Sequence, residues 1–181
     1  MAQIGNFERY FGVTNINGVI GNGGLTAAFS EKGEMTVLKW PSPSYYEHLN
    51  YKTSSEESAR SLPYMGAFEN MGAFAGIYYS TTEYKGFTWF RDKTWEHLQY
   101  YDSEDSNILV TVFINYSLGI SVENYSFVLP DKDVLVSRYV FKKSSNSKIK
   151  DIKFFYYENL APCLQKNKFF PLNHTFSSEI R

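Results

Sequence analysis

A single cysteine, Cys163, stands among 181 residues, which excludes an internal disulfide framework. Flanked by Pro162 and Leu164, with no histidine close by in sequence, it reads as a small core residue, not a nucleophile. Long apolar runs are also missing. None approaches membrane-spanning length, and Met1–Tyr10 lacks both a basic region and an apolar run, so neither a span nor a signal peptide is expected. A cytoplasmic location follows, and the sequons at Asn115, Asn124 and Asn173 are then accidental. Charge of one sign is lacking too: 18 Lys and Arg against 19 Asp and Glu leave a net charge of −1, with the signs interspersed. Without a basic stripe, nucleic acid and anionic membrane are poor partners. Histidine is scarce, with only His48, His97 and His174, far apart and none with a second ligand at metal spacing. Neither a metal nor a cofactor is expected. Gly21-Asn22-Gly23-Gly24 opens onto a strand and lacks the Lys-Ser/Thr ending of a phosphate loop.

What the chain has in quantity is aromatic side chains, 18% of it, including 15 Tyr and 15 Phe. Tyr, Phe, Val and Ile suit a pleated, half-buried surface, and no long helical period occurs, so the composition leans to β structure. Leu25–Phe29 and Met35–Trp40 flank the polar Ser30-Glu31-Lys32-Gly33-Glu34, where Gly33 can supply the positive φ of a tight turn. That unit is a β-hairpin. Trp40-Pro41-Ser42-Pro43 stops its second strand, because neither proline can donate to a ladder. Phe7–Phe11 is an aromatic lead-in, and Tyr45–Asn50 is long enough for one helical turn. Thr53–Ser61 is a polar loop, followed by the glycine-rich Leu62–Gly76, whose Met65-Gly66-Ala67-Phe68 and Met71-Gly72-Ala73-Phe74 echo one another. Two copies are too few for a solenoid, so this stretch also reads as a loop. Ile77–Thr81 and Phe87–Phe90 are short strands.

Strand-length runs then follow at Asn107–Ser117, Ile120–Leu129, Val134–Lys143 and Lys148–Glu158, separated by turns at Leu118-Gly119, Pro130–Asp133 and Ser144–Ser147. Closely spaced strands without intervening helices predict an all-β fold, an antiparallel sandwich. Residues 1–181 are read as one domain.

Several strings in this order resemble the opening of glycoside hydrolase family 15 proteins of the prokaryotic glucoamylase, glucodextranase and trehalase type. They are Ile20-Gly21-Asn22, Leu25-Thr26-Ala27-Ala28, Gly33, Leu38-Lys39-Trp40-Pro41, Ser121–Pro130, Asp131–Ser137 and Tyr156–Leu160. Thr36-Val37 stands where trehalase-like members carry Asp-Trp, which points away from that subtype. The resemblance implies a supersandwich of the galactose-mutarotase type, incomplete at its C-terminal end. It implies a non-catalytic N-terminal domain that supports a catalytic (α/α)₆ barrel acting on α-glucans, and that barrel is the implied partner. The family's catalytic glutamates lie in the barrel, so no catalytic residue carries over to this chain. The alternative is a freestanding carbohydrate-binding module holding a glucan. An enzyme in its own right is a third reading, because mutarotase-type sandwiches can be catalytic.

A glycosidase needs two carboxylates roughly 5–10 Å apart. Glu69, Glu96 and Glu158 are available, and no spacing singles out a pair. Sugar rings need flat aromatic faces beside polar side chains. The run Phe87–His97 offers Trp89, Trp95 and Arg91 as candidate carbohydrate-binding residues, with core packing of both tryptophans as the alternative. Trp40, Tyr45 and Tyr46, around the Pro41-Ser42-Pro43 turn, are the candidate domain-interface residues.

Overall fold

The computed structural model describes residues 16–41, 49 and 72–158. Tyr45, Tyr46, Glu69, Cys163, the Phe7–Phe11 lead-in, the one-turn helix apart from Leu49, and the first copy of the echo lie outside them. The described residues form ten strands: β1 Gly18–Gly21, β2 Thr26–Phe29, β3 Met35–Lys39, β4 Ala73–Ser80, β5 Lys85–Trp89, β6 Glu96–Tyr101, β7 Ile108–Asn115, β8 Ile120–Val128, β9 Leu135–Lys143 and β10 Asp151–Glu158. All pair antiparallel, as the turn spacing predicts. One sheet runs β1-β2-β3-β4-β10, with β5 also on β4, and the other runs β6-β7-β8-β9. The chain is an all-β sandwich.

The predicted hairpin is β2–β3, with Gly33 at φ 71°. The Ser30 hydroxyl accepts from the Lys32 and Glu34 amides and donates to Glu34 Oε2 at 3.0 Å, closing the turn on itself. A Cβ at Gly33 would lie 2.6 Å from Phe113 of the opposite sheet, so this glycine is required by packing as well as by its φ. Glycine-rich Gly72–Gly76, read from sequence as loop, is instead largely strand. β10 pairs along the whole of β4, from Glu158↔Ala73 to Asp151↔Ser80, and this long partner outweighs the low strand preference of glycine. On its other edge β4 meets β3 at Ala73 and β5 from Gly76 onward.

The edge of β1 that faces away from β2 is closed by side chains. The Tyr101 hydroxyl accepts from the Val19 amide and donates to its carbonyl, while the Asn107 amide does the same for Gly21. These four bonds occupy backbone groups that an open edge would offer to another chain.

Between the sheets are two apolar clusters. The first joins Ile20, Leu25, Ala27, Phe29, Met35 and Leu38 to Leu109 and Val128. The second joins Ala75, Ile77, Phe90 and Trp95 to Phe113, Ile120 and Val122. The buried face of β7 is thus its odd set, Leu109, Thr111, Phe113 and Asn115, while the even set, apart from buried Val110, is only half-buried. A polar rung, Gln99–Thr111–Asn124–Tyr139, crosses all four strands of the second sheet between the two clusters. Gln99 donates to Thr111 Oγ1 and to the Ser30 carbonyl, tying this rung to the hairpin. Asn124 is 1% exposed, and its Oδ1 has no hydrogen-bond partner.

Candidate functional site

Two places gather the residues singled out by sequence. The first is a clamp at one end of the sandwich. Asn22, in a segment that reads as free glycine-rich backbone, is held at both ends of its side chain. Its Oδ1 accepts from the Gly24 and Leu25 amides, and its Nδ2 donates to the carbonyls of Leu129 and Lys132 and to Asp133 Oδ1, all within 2.9–3.2 Å. The other Asp133 oxygen accepts from Trp40 Nε1 at 2.8 Å. Gly24 is required here, because a Cβ would lie 2.5 Å from Asp133 Oδ1. Residues 22, 40 and 133 come from three of the strings that carry the family resemblance, and they meet in one network. Trp40, a candidate interface residue, is not thrown clear of the sheet. It is half-buried against the first apolar cluster and anchored by its indole nitrogen, and the Trp40–Pro41 bond is cis.

The second place is the outer face of the six-stranded sheet. Strand parity puts Phe74, Gly76 and Tyr78 of β4, Phe87 and Trp89 of β5, and Phe155 and Tyr157 of β10 on it. Gly76 lies directly opposite Trp89 on one side and Phe155 on the other. A Cβ on Gly76 would meet Trp89 Cε3 at 2.6 Å, so the missing side chain makes room for the indole. Phe74 and Phe87 stand nearly perpendicular to that indole, at 84° and 85°, with centroids 4.9 and 4.6 Å away. Phe87 and Phe155 are each close to half exposed. Arg91 lies over Phe74 with its guanidinium carbon 3.7 Å from the ring centroid, and its Nη1 is 3.1 Å from Glu34 Oε1. Glu34, in the polar turn of the hairpin, is buried and paired with this arginine and with the Ser30 hydroxyl.

Trp89 and Arg91 are therefore brought together, and Trp95 is not. It is 3% exposed, packs on Phe90 inside the sandwich, and donates its indole nitrogen to Thr88 Oγ1 at 3.0 Å. The turn between β5 and β6, closed by Asp92 N to Trp89 O and Trp95 N to Asp92 O, breaks the strand parity that would have put both tryptophans on one face. Asp92 also accepts from the Trp89 amide at 2.8 Å. Trp95 is corrected to a core residue. Phe74, Phe155 and Tyr157 were missed; Phe74 alternates with Ala73 and Ala75, a period-2 signal, whereas Phe155 and Tyr157 lie in the unbroken aromatic run Phe154–Tyr157, which shows no alternation.

The carboxylates do not converge. Glu96 is exposed on the outer side of β6, whereas Glu158 is on the inward side of β10 in the other sheet. Glu123 is bonded by Lys142 and by Tyr125, and those hydrogen bonds, that from Lys142 first, hold its carboxyl below the usual range. Burial raises the Tyr139 and Tyr156 hydroxyls well above an ordinary phenol, with nearby Glu158 adding to both. His97 bonds the Phe90 carbonyl at 2.7 Å and meets Phe113 edge-on, a packed role. Among the described residues no group of three or more His, Cys, Asp or Glu could hold a metal, and no helix is long and apolar enough to cross a membrane. Comparison of the chain with protein-family models, with curated proteins and with solved structures gives no significant match.

Proposed function

We propose that this chain is a non-catalytic accessory β-sandwich of a glucoamylase-like glycosidase, working in the cytoplasm beside a catalytic helical barrel that acts on α-glucans. The observation that supports the reading is the clamp. Asn22, Trp40 and Asp133, from strings that resemble family 15 proteins, are more than ninety positions apart at their extremes and share one hydrogen-bond network. Residues spread through a sequence that serve one fixed contact are what a common framework requires. On this reading the exposed part of Trp40, together with Tyr45 and Tyr46, is where the barrel packs.

The purified 181-residue chain should release no glucose from maltose, dextrin, starch or trehalose. The polypeptide extended through the coding sequence downstream of Arg181 should release it from dextrin. Turnover by the 181-residue chain that disappears in Glu96→Gln or Glu158→Gln would overturn the assignment.

A further inference from the structure

We infer that the outer face of the six-stranded sheet, centred on Trp89, is a binding site for a neutral, α-linked glucan chain. This inference stands on the geometry of that face and goes beyond the accessory role, which concerns the opposite question of what supports the barrel. The face is a grid of three strands. Its rungs read Lys85–Ser80–Asp151, Phe87–Tyr78–Lys153 and Trp89–Gly76–Phe155, followed by Phe74–Tyr157. Gly76 leaves a gap in the middle of the grid, over which the indole lies, with Phe74 and Phe87 upright beside it.

Such a group of rings is unexpected on the solvent side of a sheet. An outward face that met only water would alternate polar residues with the inward apolar ones. Here the polar residues are instead gathered at one end, Lys85, Ser80 and Asp151, and at the margin, Lys153 and Arg91. Apolar rings bordered by hydrogen-bonding groups match the two surfaces of a pyranose, whose C–H face lies on a ring while its hydroxyls turn outward to polar partners.

The ring angles narrow the ligand class. Phe87 and Phe155, the two rings most open to solvent, have centroids 5.9 Å apart and planes inclined at 63°. Two neighbouring sugars resting on them must turn relative to each other. Successive sugars of an α-1,4 chain are inclined to one another as the chain coils, whereas a β-1,4 chain is a flat ribbon better matched to coplanar rings.

Titration calorimetry with maltoheptaose and with cellohexaose tests this. Maltoheptaose should bind, and Trp89→Ala should weaken it by about tenfold or more, the loss of one good stacking contact. Because Trp89 also packs on Phe74, Phe87→Ser and Phe155→Ser serve as milder variants at half-exposed positions; each should weaken binding while lowering the thermal midpoint of the free chain less than Trp89→Ala does. No binding of maltoheptaose at millimolar concentration would overturn the proposal. Equal binding of cellohexaose would overturn the assignment to α-linked chains. Self-association of the chain that is relieved by Phe155→Ser would assign the face to a protein contact and overturn it as well. Glucose release from the extended polypeptide bears only on the accessory reading, so the two can fail separately.

Discussion

Replacing Asn22 by Ala should cost far more than an ordinary surface substitution. The side chain makes five contacts, and three of them are part-buried: Nδ2 to the Leu129 carbonyl, and the Gly24 and Leu25 amides to Oδ1. Water can replace the two exposed contacts at little cost. At about 1 kcal/mol for each part-buried bond, the loss is about 3 kcal/mol. For a chain of this length that corresponds to a fall in thermal midpoint of roughly 6–12 °C. Asn22→Asp separates the donor from the acceptor role. It keeps the acceptor for Gly24 and Leu25 but sets a carboxylate against Asp133 and two carbonyls, so it should be at least as damaging as Ala at neutral pH and recover as the pH is lowered. Urea unfolding followed by tryptophan fluorescence gives the free energies directly. An Asn22→Ala variant within about 0.5 kcal/mol of the parent, the range of an ordinary surface change, would refute the clamp as a structural element.

Asn124→Leu should be neutral or stabilising, because it removes a buried acceptor that lacks a partner, whereas Asn124→Asp, which buries a charge, should lose more than about 3 kcal/mol; denaturant midpoints decide. Gly76→Ala should cost about 1–3 kcal/mol, since the new methyl meets Trp89 Cε3 at 2.6 Å and the Thr88 carbonyl at 2.7 Å, and the indole emission should shift with it. The raised phenols set an alkaline limit. Tyr139 and Tyr156 bind their protons more tightly folded than unfolded, so their stabilising effect is complete below the unfolded phenol pKa of about 10 and fades as the pH rises toward their folded values. Tyr139→Phe should therefore flatten the loss of stability above about pH 10, read by circular dichroism against pH.

The strands from β7 to β10 and the β2–β3 hairpin were legible because their turns carry Gly, Asn, Asp, Ser or Pro between runs of β-forming residues. Gly33 and Gly119, both at positive φ, are where the sequence places turns. β1 and the start of β4 were hidden by glycines, which read as loop locally. β1 becomes strand by pairing with the neighbouring β2, and the start of β4 by pairing with β10, far along the chain. β6 was hidden in a charged, aromatic run. Trp89 and Arg91 were recognisable as neighbours, but the turn at residues 90–95 sends Trp95 into the core, and local sequence does not reveal that reversal. The clamp was least visible. Asn22, Trp40 and Asp133 each look like turn chemistry, and their meeting depends on how the two sheets stack.

The central claim, that this sandwich serves a larger α-glucan-hydrolysing enzyme, is tested most directly by the native polypeptide itself. Protein fractionated from its source by glucose release from maltoheptaose can be measured as intact mass and searched for peptides of this sequence. The expected result is a polypeptide much longer than 181 residues that carries these peptides and the activity together. A native polypeptide of only 181 residues, separating cleanly from that activity, would contradict the claim.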